Sequence, residues 1–283
     1  MEKKILVCLD GSKLSRAVCD YGIFLSKELD LPLVLLHVVE HTHTPSKLDL
    51  SGNLALGARD NLLEELVSEE MDESKKLIAK GRAVLKEFEA YAKEHGVQKC
   101  ETLHRHGALE EILEELASSL QTAIIGLRGE DHNAIGSNVE ELIRNLNIPI
   151  LLVNDDFKPI KSVLIAYDGS NFAEKALKGI SKNPLLPHVK RFIANVNTDV
   201  ASSAKLLLEA KKFFDEENLE VHTKSLQGDS IEALLDFAQE NDIDIIAMGA
   251  YSHNRLRSKI FGSFTTKMFL KATKPLLLFR QGL

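Results

Sequence analysis

"ILVCLDGSKLSRAVCDYGIFL" occupies residues 5–25, and "VLIAYDGSNFAEKALKGISKN" occupies residues 163–183. Each is an apolar run of strand length, then Asp-Gly-Ser, then a stretch with apolar residues at helical spacing. A strand that turns into a helix is half of a βαβ unit, and meeting the same one twice points to an internal repeat. Working outward, the flanking pieces match in the same order. "HGALEEILEELASSLQTAIIGLRGEDHN" (106–133) aligns with "QGDSIEALLDFAQENDIDIIAMGAYSHN" (227–254), and "GSNVEELIRNLNIPILLVN" (136–154) with "GSFTTKMFLKATKPLLLFR" (262–280). The chain reads as two copies of one domain, 1–155 and 160–283, joined near residues 155–159.

Within each copy, short β-branched and apolar runs alternate with helical patterns. Strands are expected at 4–9, 32–39, 98–104, 122–127 and 149–153, and again at 162–167, 190–196, 220–226, 243–248 and 275–279. Continuous apolar runs such as "LVLLHVV" (33–39) suit strands buried on both faces of a parallel sheet. Strands separated by helices imply right-handed crossovers. The expected fold is α/β: two repeated, doubly wound, open parallel-sheet domains of Rossmann-like kind. The first copy carries a long insert, 41–95, holding a loop at 41–57 and a strong helix. In that helix Leu77, Val84, Phe88 and Tyr91 fall on one stripe, with Leu85 and Ala92 beside it. The second copy spans the same gap with a shorter helix near 200–217.

At 283 residues, with 44% hydrophobic and 27% charged, the chain can build two cores. No apolar run approaches the roughly 20 residues that cross a membrane. "MEKKILVCLDGS" lacks a leader pattern, and Cys8, Cys19 and Cys100 form no even framework, so a reducing, cytoplasmic setting is expected. Charge is uneven: residues 1–157 hold 17 Lys and Arg against 28 Asp and Glu, and the remainder 18 against 14. The acidic first half is a poor nucleic-acid surface, and the second half suits a small anion better.

Two features carry possible chemistry. Asp10-Gly11-Ser12 and Asp168-Gly169-Ser170 follow the first strand of each copy. A carboxylate there can accept hydrogen bonds from a sugar or base, and the same residues also serve as a helix cap and tight turn. The second is "AMGAYSHNRLRSKIFGSFTTKMF" (247–269). Gly249 follows the fourth strand, Gly262-Ser263 opens a helix, and Arg255, Arg257 and Lys259 lie between them. Side-chain-free glycine, helix N–H groups and positive charge make a phosphate cradle. The bland alternative is a solvated basic loop with a Gly-Ser cap.

This arrangement resembles the universal stress protein family, whose nucleotide-binding members carry G-x2-G-x9-G-[S/T] at this loop. Gly249, Ser252, nine further residues and Gly262-Ser263 match that spacing, with Ser252 in place of the second glycine. The resemblance covers nearly the whole chain as a tandem pair, with an adenine-nucleotide alpha hydrolase-like fold. It implies a pseudo-dimer in which "PILLV" (149–153) and "PLLLF" (275–279) pair across the two halves. It also implies that base and ribose meet Ala166, Asp168 and Val196, and that phosphates meet Gly249, Ser252, Gly262, Ser263 and Thr265. Met248, Arg255 and Arg257 belong to the same implied set. The first copy departs from the pattern: Arg128 stands where Gly249 does, Asp131 where Ser252 does, and the loop to Gly136-Ser137 is five residues shorter. Asp10, Gly136 and Ser137 remain of that degenerate site, and they also serve the fold.

The function implied is a stress-response regulator that binds ATP or another adenine nucleotide, with or without Mg2+, in its second domain. The expected partners are that nucleotide and unidentified proteins, with no nucleic acid and no membrane. A homodimer beyond the internal pair stays open. The alternatives are an adaptor acting through protein contacts and a slow ATPase, for which no general base stands out. No metal site is expected: His37, His41 and His43 cluster, and His104 and His106 share a strand face, but the default for each is a surface or hydrogen-bonded histidine. His253, beside the basic loop, reads as a phosphate neighbour.

Overall fold

The computed structural model describes residues 2–39, 56–127, 148–182, 185–249 and 263–279. Five strands precede residue 155: β1 (Lys4–Cys8), β2 (Leu33–Val39), β3 (Cys100–His106), β4 (Leu120–Gly126) and β5 (Ile150–Val153). Five follow it: β6 (Ser162–Ala166), β7 (Lys190–Val196), β8 (His222–Leu226), β9 (Ile245–Gly249) and β10 (Leu276–Phe279). The described helices are α1 (Ser15–Leu29), α2 (Leu56–Glu94), α3 (Leu109–Leu116), α4 (Asn171–Lys182), α5 (Val200–Asp215), α6 (Ser230–Glu240) and α7 (Ser263–Lys271). All ten expected strands are present. β3 sits two residues later than its apolar pattern suggests, because it is an edge strand aligned by its neighbour, with Leu33 opposite Cys100 and Val39 opposite His106. Its outer face needs no apolar residues, so polar "LHRH" continues the strand.

The strands form one sheet in the order β3-β2-β1-β4-β5-β10-β9-β6-β7-β8. Neighbours within each half run parallel. The seam is β5 against β10, antiparallel, with Leu152 opposite Leu276, Leu151 opposite Leu277 and Ile150 opposite Leu278. The two halves therefore share a continuous backbone ladder. Asn154 closes the joint by donating from Nδ2 to the Ala272 and Lys274 carbonyls at 2.7 and 2.9 Å. The connecting segment is pinned to α1: Phe157 meets the Tyr21 ring edge-on at 4.8 Å, and the Lys158 N–H donates to the Tyr21 hydroxyl.

Alternation along the central strands feeds two cores, one on each face of the sheet. Leu151, Val153, Leu277 and Phe279 join the face covered by α1, α2, α4 and α5. Ile150, Leu152, Leu276 and Leu278 join the face covered by α3, α6 and α7. The insert helix α2 buries Leu85, Phe88 and Ala92 on the first of these cores, with Val84 and Tyr91 packed alongside. Leu77 departs from the expected stripe and is 41% exposed. The stripe that packs therefore begins about two turns later than the pattern implied. A hydrogen bond from the Tyr91 hydroxyl to Asp20 at 2.7 Å, with Arg16 stacked over the Tyr91 ring, fixes α2 on α1. No described helix is long and apolar enough to cross a membrane.

Candidate functional site

In open α/β sheets, ligands bind beyond the carboxyl ends of the strands, where the strand order reverses. This sheet has two such points, between β1 and β4 and between β6 and β9.

At the second point, β6 ends at half-buried Ala166, and the Tyr167 N–H donates to the Ala194 carbonyl at 2.9 Å. The chain then leaves the sheet through Asp168, which is exposed. Asp168 Oδ1 accepts the Ser170 N–H at 2.9 Å, and Ser170 Oγ accepts the Ala173 N–H at 3.2 Å, capping α4. Gly169 has φ +77°, and a Cβ there would lie 2.8 Å from Leu206 of α5, so the turn needs glycine twice over. Across the crevice, Ile165 is level with Ala247, which brings Ala166 and Asp168 beside Met248 and Gly249. Met248 turns its side chain into the core, leaving its backbone at the strand end. Val196 ends β7 half-buried. β9 and β10 are parallel, so the helix joining them runs back, and α7 begins at Ser263 on the carboxyl side of the sheet. Thr265, in its first turn, is buried.

Ala166, Asp168, Val196, Met248 and Gly249 thus end neighbouring strands at one rim, with the α7 start on the same side. Ser252, Arg255, Arg257 and Gly262 lie outside the described residues, as do Arg128, Gly136 and Ser137 of the first half. His41, His43 and His253 do so too.

At the first point the turn is built differently. Asp10 Oδ1 accepts both the Ser12 N–H at 2.9 Å and the Ser15 hydroxyl at 2.8 Å, while Ser15 Oγ accepts the Gly11 N–H at 3.0 Å. Ser15 is buried, and Ala173 holds its place in the second half. α2 leans over this turn: a Cβ on Gly11 would meet Val84 at 3.4 Å and Lys80 at 3.8 Å. Cys8 stands where Ala166 does, and burial, then the Asp10 charge, push its thiol up to about 12. The rim beside it closes as the Leu127 N–H donates to the Val153 carbonyl at 2.7 Å, with the Leu127 side chain fully buried.

Two groups at these rims escaped the sequence reading. Asn195 is buried on β7, and its Nδ2 donates to the Tyr167 carbonyl at 2.7 Å, holding the turn that presents Asp168. Its one sequence signal is an amide inside an otherwise apolar strand. Ser15 is the second. His37, read in the sequence as clustering with His41 and His43, instead has its ring 5.4 Å from that of His104 on the next strand, nearly parallel to it. The expected sharing of one β3 face by His104 and His106 holds, with ring centres 5.4 Å apart. Among the described residues, no three His, Cys, Asp or Glu side chains gather as a metal-holding group.

Fold and rim together define a class: a tandem, doubly wound α/β protein with a crevice where strand order reverses in each half. Comparison with known proteins makes the class specific. The sequence profile of the universal stress protein family matches residues 1–154 and 191–280. The chain belongs to the universal stress protein family. It is similar to the universal stress protein Slr1230 of Synechocystis sp., with 30% identity over 287 residues covering 98% of this chain and all of that one. The universal stress protein MJ0531 of Methanocaldococcus jannaschii is 29% identical over 158 residues, covering 53% of this chain and 81% of the relative. A crystal structure of a universal stress protein from Archaeoglobus fulgidus shares the fold throughout, with a TM-score of 0.72 at 20% identity, covering 99% of this chain and 98% of that one.

Proposed function

We propose that this chain is a stress-response regulatory protein that binds an adenine nucleotide, ATP above all, in its second domain (160–283) and not in its first (1–155). The observation that carries this reading is Asp168. Its carboxylate is exposed at the strand-order reversal, and among the described residues it is engaged by one N–H of its own turn. That leaves acceptor capacity for sugar hydroxyls. Gly249 at the next strand end lets a phosphate approach the backbone, and the α7 N-terminus at Ser263 supplies N–H donors and the positive dipole end. Arg255 and Arg257 add charge for a polyphosphate. In the first half the equivalent Asp10 is also exposed but spends Oδ1 on two bonds of its own turn, and Arg128 stands in place of that glycine.

Equilibrium dialysis of the full chain with ATP tests this, alongside mass spectrometry of small molecules released from freshly purified protein. About one ATP per chain, and an adenine nucleotide among the released species, are the expected results. Two equal sites would show that the first half retains a cradle. No binding at all would leave an adaptor acting through protein contacts as the better reading.

A further inference from the structure

We propose that His37 and His104 form an acid-sensitive latch: protonation of this pair in mildly acidic medium releases α2 from the edge of the sheet formed by β2 and β3.

The latch is a matter of packing. His37 and His104 are register partners on adjacent strands. Gly81 of α2 lies directly over them. A Cβ at that glycine would come 2.6 Å from His37 Nδ1 and 2.7 Å from His104 Nε2. Both nitrogens therefore face helix backbone at close range, with no side chain between. Both are buried, and neither has a hydrogen-bond partner. A neutral imidazole satisfies this position by turning its lone pair inward and its N–H away. A protonated one cannot, because it places an N–H and a positive charge against a surface that offers no acceptor.

The surrounding charges oppose protonation as well. From α2 come Lys80, which faces His37, and Arg82, which faces His104; from β3 comes His106; the opposing charge is Asp10, beyond β1. Burial, then the neighbouring His104, hold His37 below the usual imidazole range, with Asp10 pulling weakly the other way. Burial, then His106 and Arg82, do the same for His104. The packed state thus binds fewer protons than the released one. Its stability is complete above about 6.5, the ordinary imidazole value, and is lost as pH falls from there toward the lowered values.

The second half supplies an internal control. The same register position on β7 and β8 holds Asn195 opposite Ser225. Ser225 donates to Ser203 of α5 at 2.8 Å, and Asn195 to the Tyr167 carbonyl. Neither group titrates, so α5 has no such dependence on acid.

Hydrogen exchange of the full chain, corrected for intrinsic rates, tests the latch between pH 7.5 and 5.5. Protection over residues 78–92 should fall about tenfold per pH unit for each imidazole that takes up a proton on release, while α5 keeps its protection. Replacing the pair with that of the second half, His37→Asn with His104→Ser, should flatten this response. Unchanged α2 protection in the wild type, or acid release persisting in a variant that is folded at pH 7.5, would overturn the proposal. If that variant fails to fold, imidazole NMR of the wild type decides. Both rings should titrate below the ordinary value, and titration at or above it would also overturn the latch.

Discussion

At the end of β1 the exposed Asp10 carboxylate gathers a backbone N–H and the Ser15 hydroxyl onto Oδ1; at the end of β6 the equally exposed Asp168 carboxylate takes one N–H. Both halves have the same strand order and the same Asp-Gly-Ser turn at positive φ. What separates them is a serine for an alanine at the start of the helix, and a 39-residue helix crossing the first rim where α5 has 16 residues. The comparison teaches that a motif can persist while the bonds around its carboxylate change. In the first half Asp10 Oδ1 carries a second bond, from Ser15; in the second, Asp168 Oδ1 carries one, and Ser170 caps α4.

The comparison can be broken most severely at the seam. A fragment of residues 158–283 presents β10 without β5, an apolar edge with unpaired backbone groups. It should self-associate in solution, as read by sedimentation. A monomer at high concentration would mean that the seam is dispensable. The next effect in size concerns the cradle. Gly262→Val should lower ATP affinity at least about 100-fold by placing a branched side chain at the start of α7, about 3 kcal/mol lost. Gly136→Val should change stability alone. Equal loss of fold in both, seen by circular dichroism, would reduce this contrast to a backbone effect.

A smaller effect, and a sharper one, comes from the two aspartates. Asp168→Ala should weaken nucleotide binding by about 0.5–3 kcal/mol, the range for a hydrogen bond to a neutral or charged group, and change the melting temperature little. Asp10→Ala should do the reverse, costing about 1 kcal/mol of stability through its bonds to Ser12 and Ser15 and leaving affinity unchanged. Calorimetric titration and thermal melts read the two axes separately, and parallel behaviour would defeat the assignment of one active half. The smallest effect is that of charge. Arg255→Gln with Arg257→Gln should weaken ATP several-fold and adenosine not at all, since only ATP carries the polyphosphate. Equal effects on both ligands would make these arginines a solvated face.

The strands were legible because a strand buried on both faces must be written as an unbroken apolar run, and eight of the ten lie inside the sheet. β3 was displaced because an edge strand is under no such demand. Leu77 was misassigned for a related reason: periodicity shows which residues share a helix stripe, and only tertiary packing decides where along its length the stripe meets the core. Asp168 stood out because the repeated Asp-Gly-Ser marked its turn, and Gly249 because glycines and cations bracket one loop; Ala166 came only from the family resemblance. The Ser15 bond to Asp10 and the meeting of His37 with His104 stayed hidden. The first depends on one rotamer, and the second on a register between strands 67 positions apart in the chain.

The antiparallel ladder between Ile150–Val153 and Leu276–Phe279 has a further consequence. In a symmetric pair of identical chains, every substitution appears on both sides of the two-fold and must be tolerated twice. Fusion into one polypeptide lifts that rule. It also makes the pairing intramolecular, so dilution cannot part the copies. Each copy is then at liberty to diverge from its twin, and the joint holds both in register.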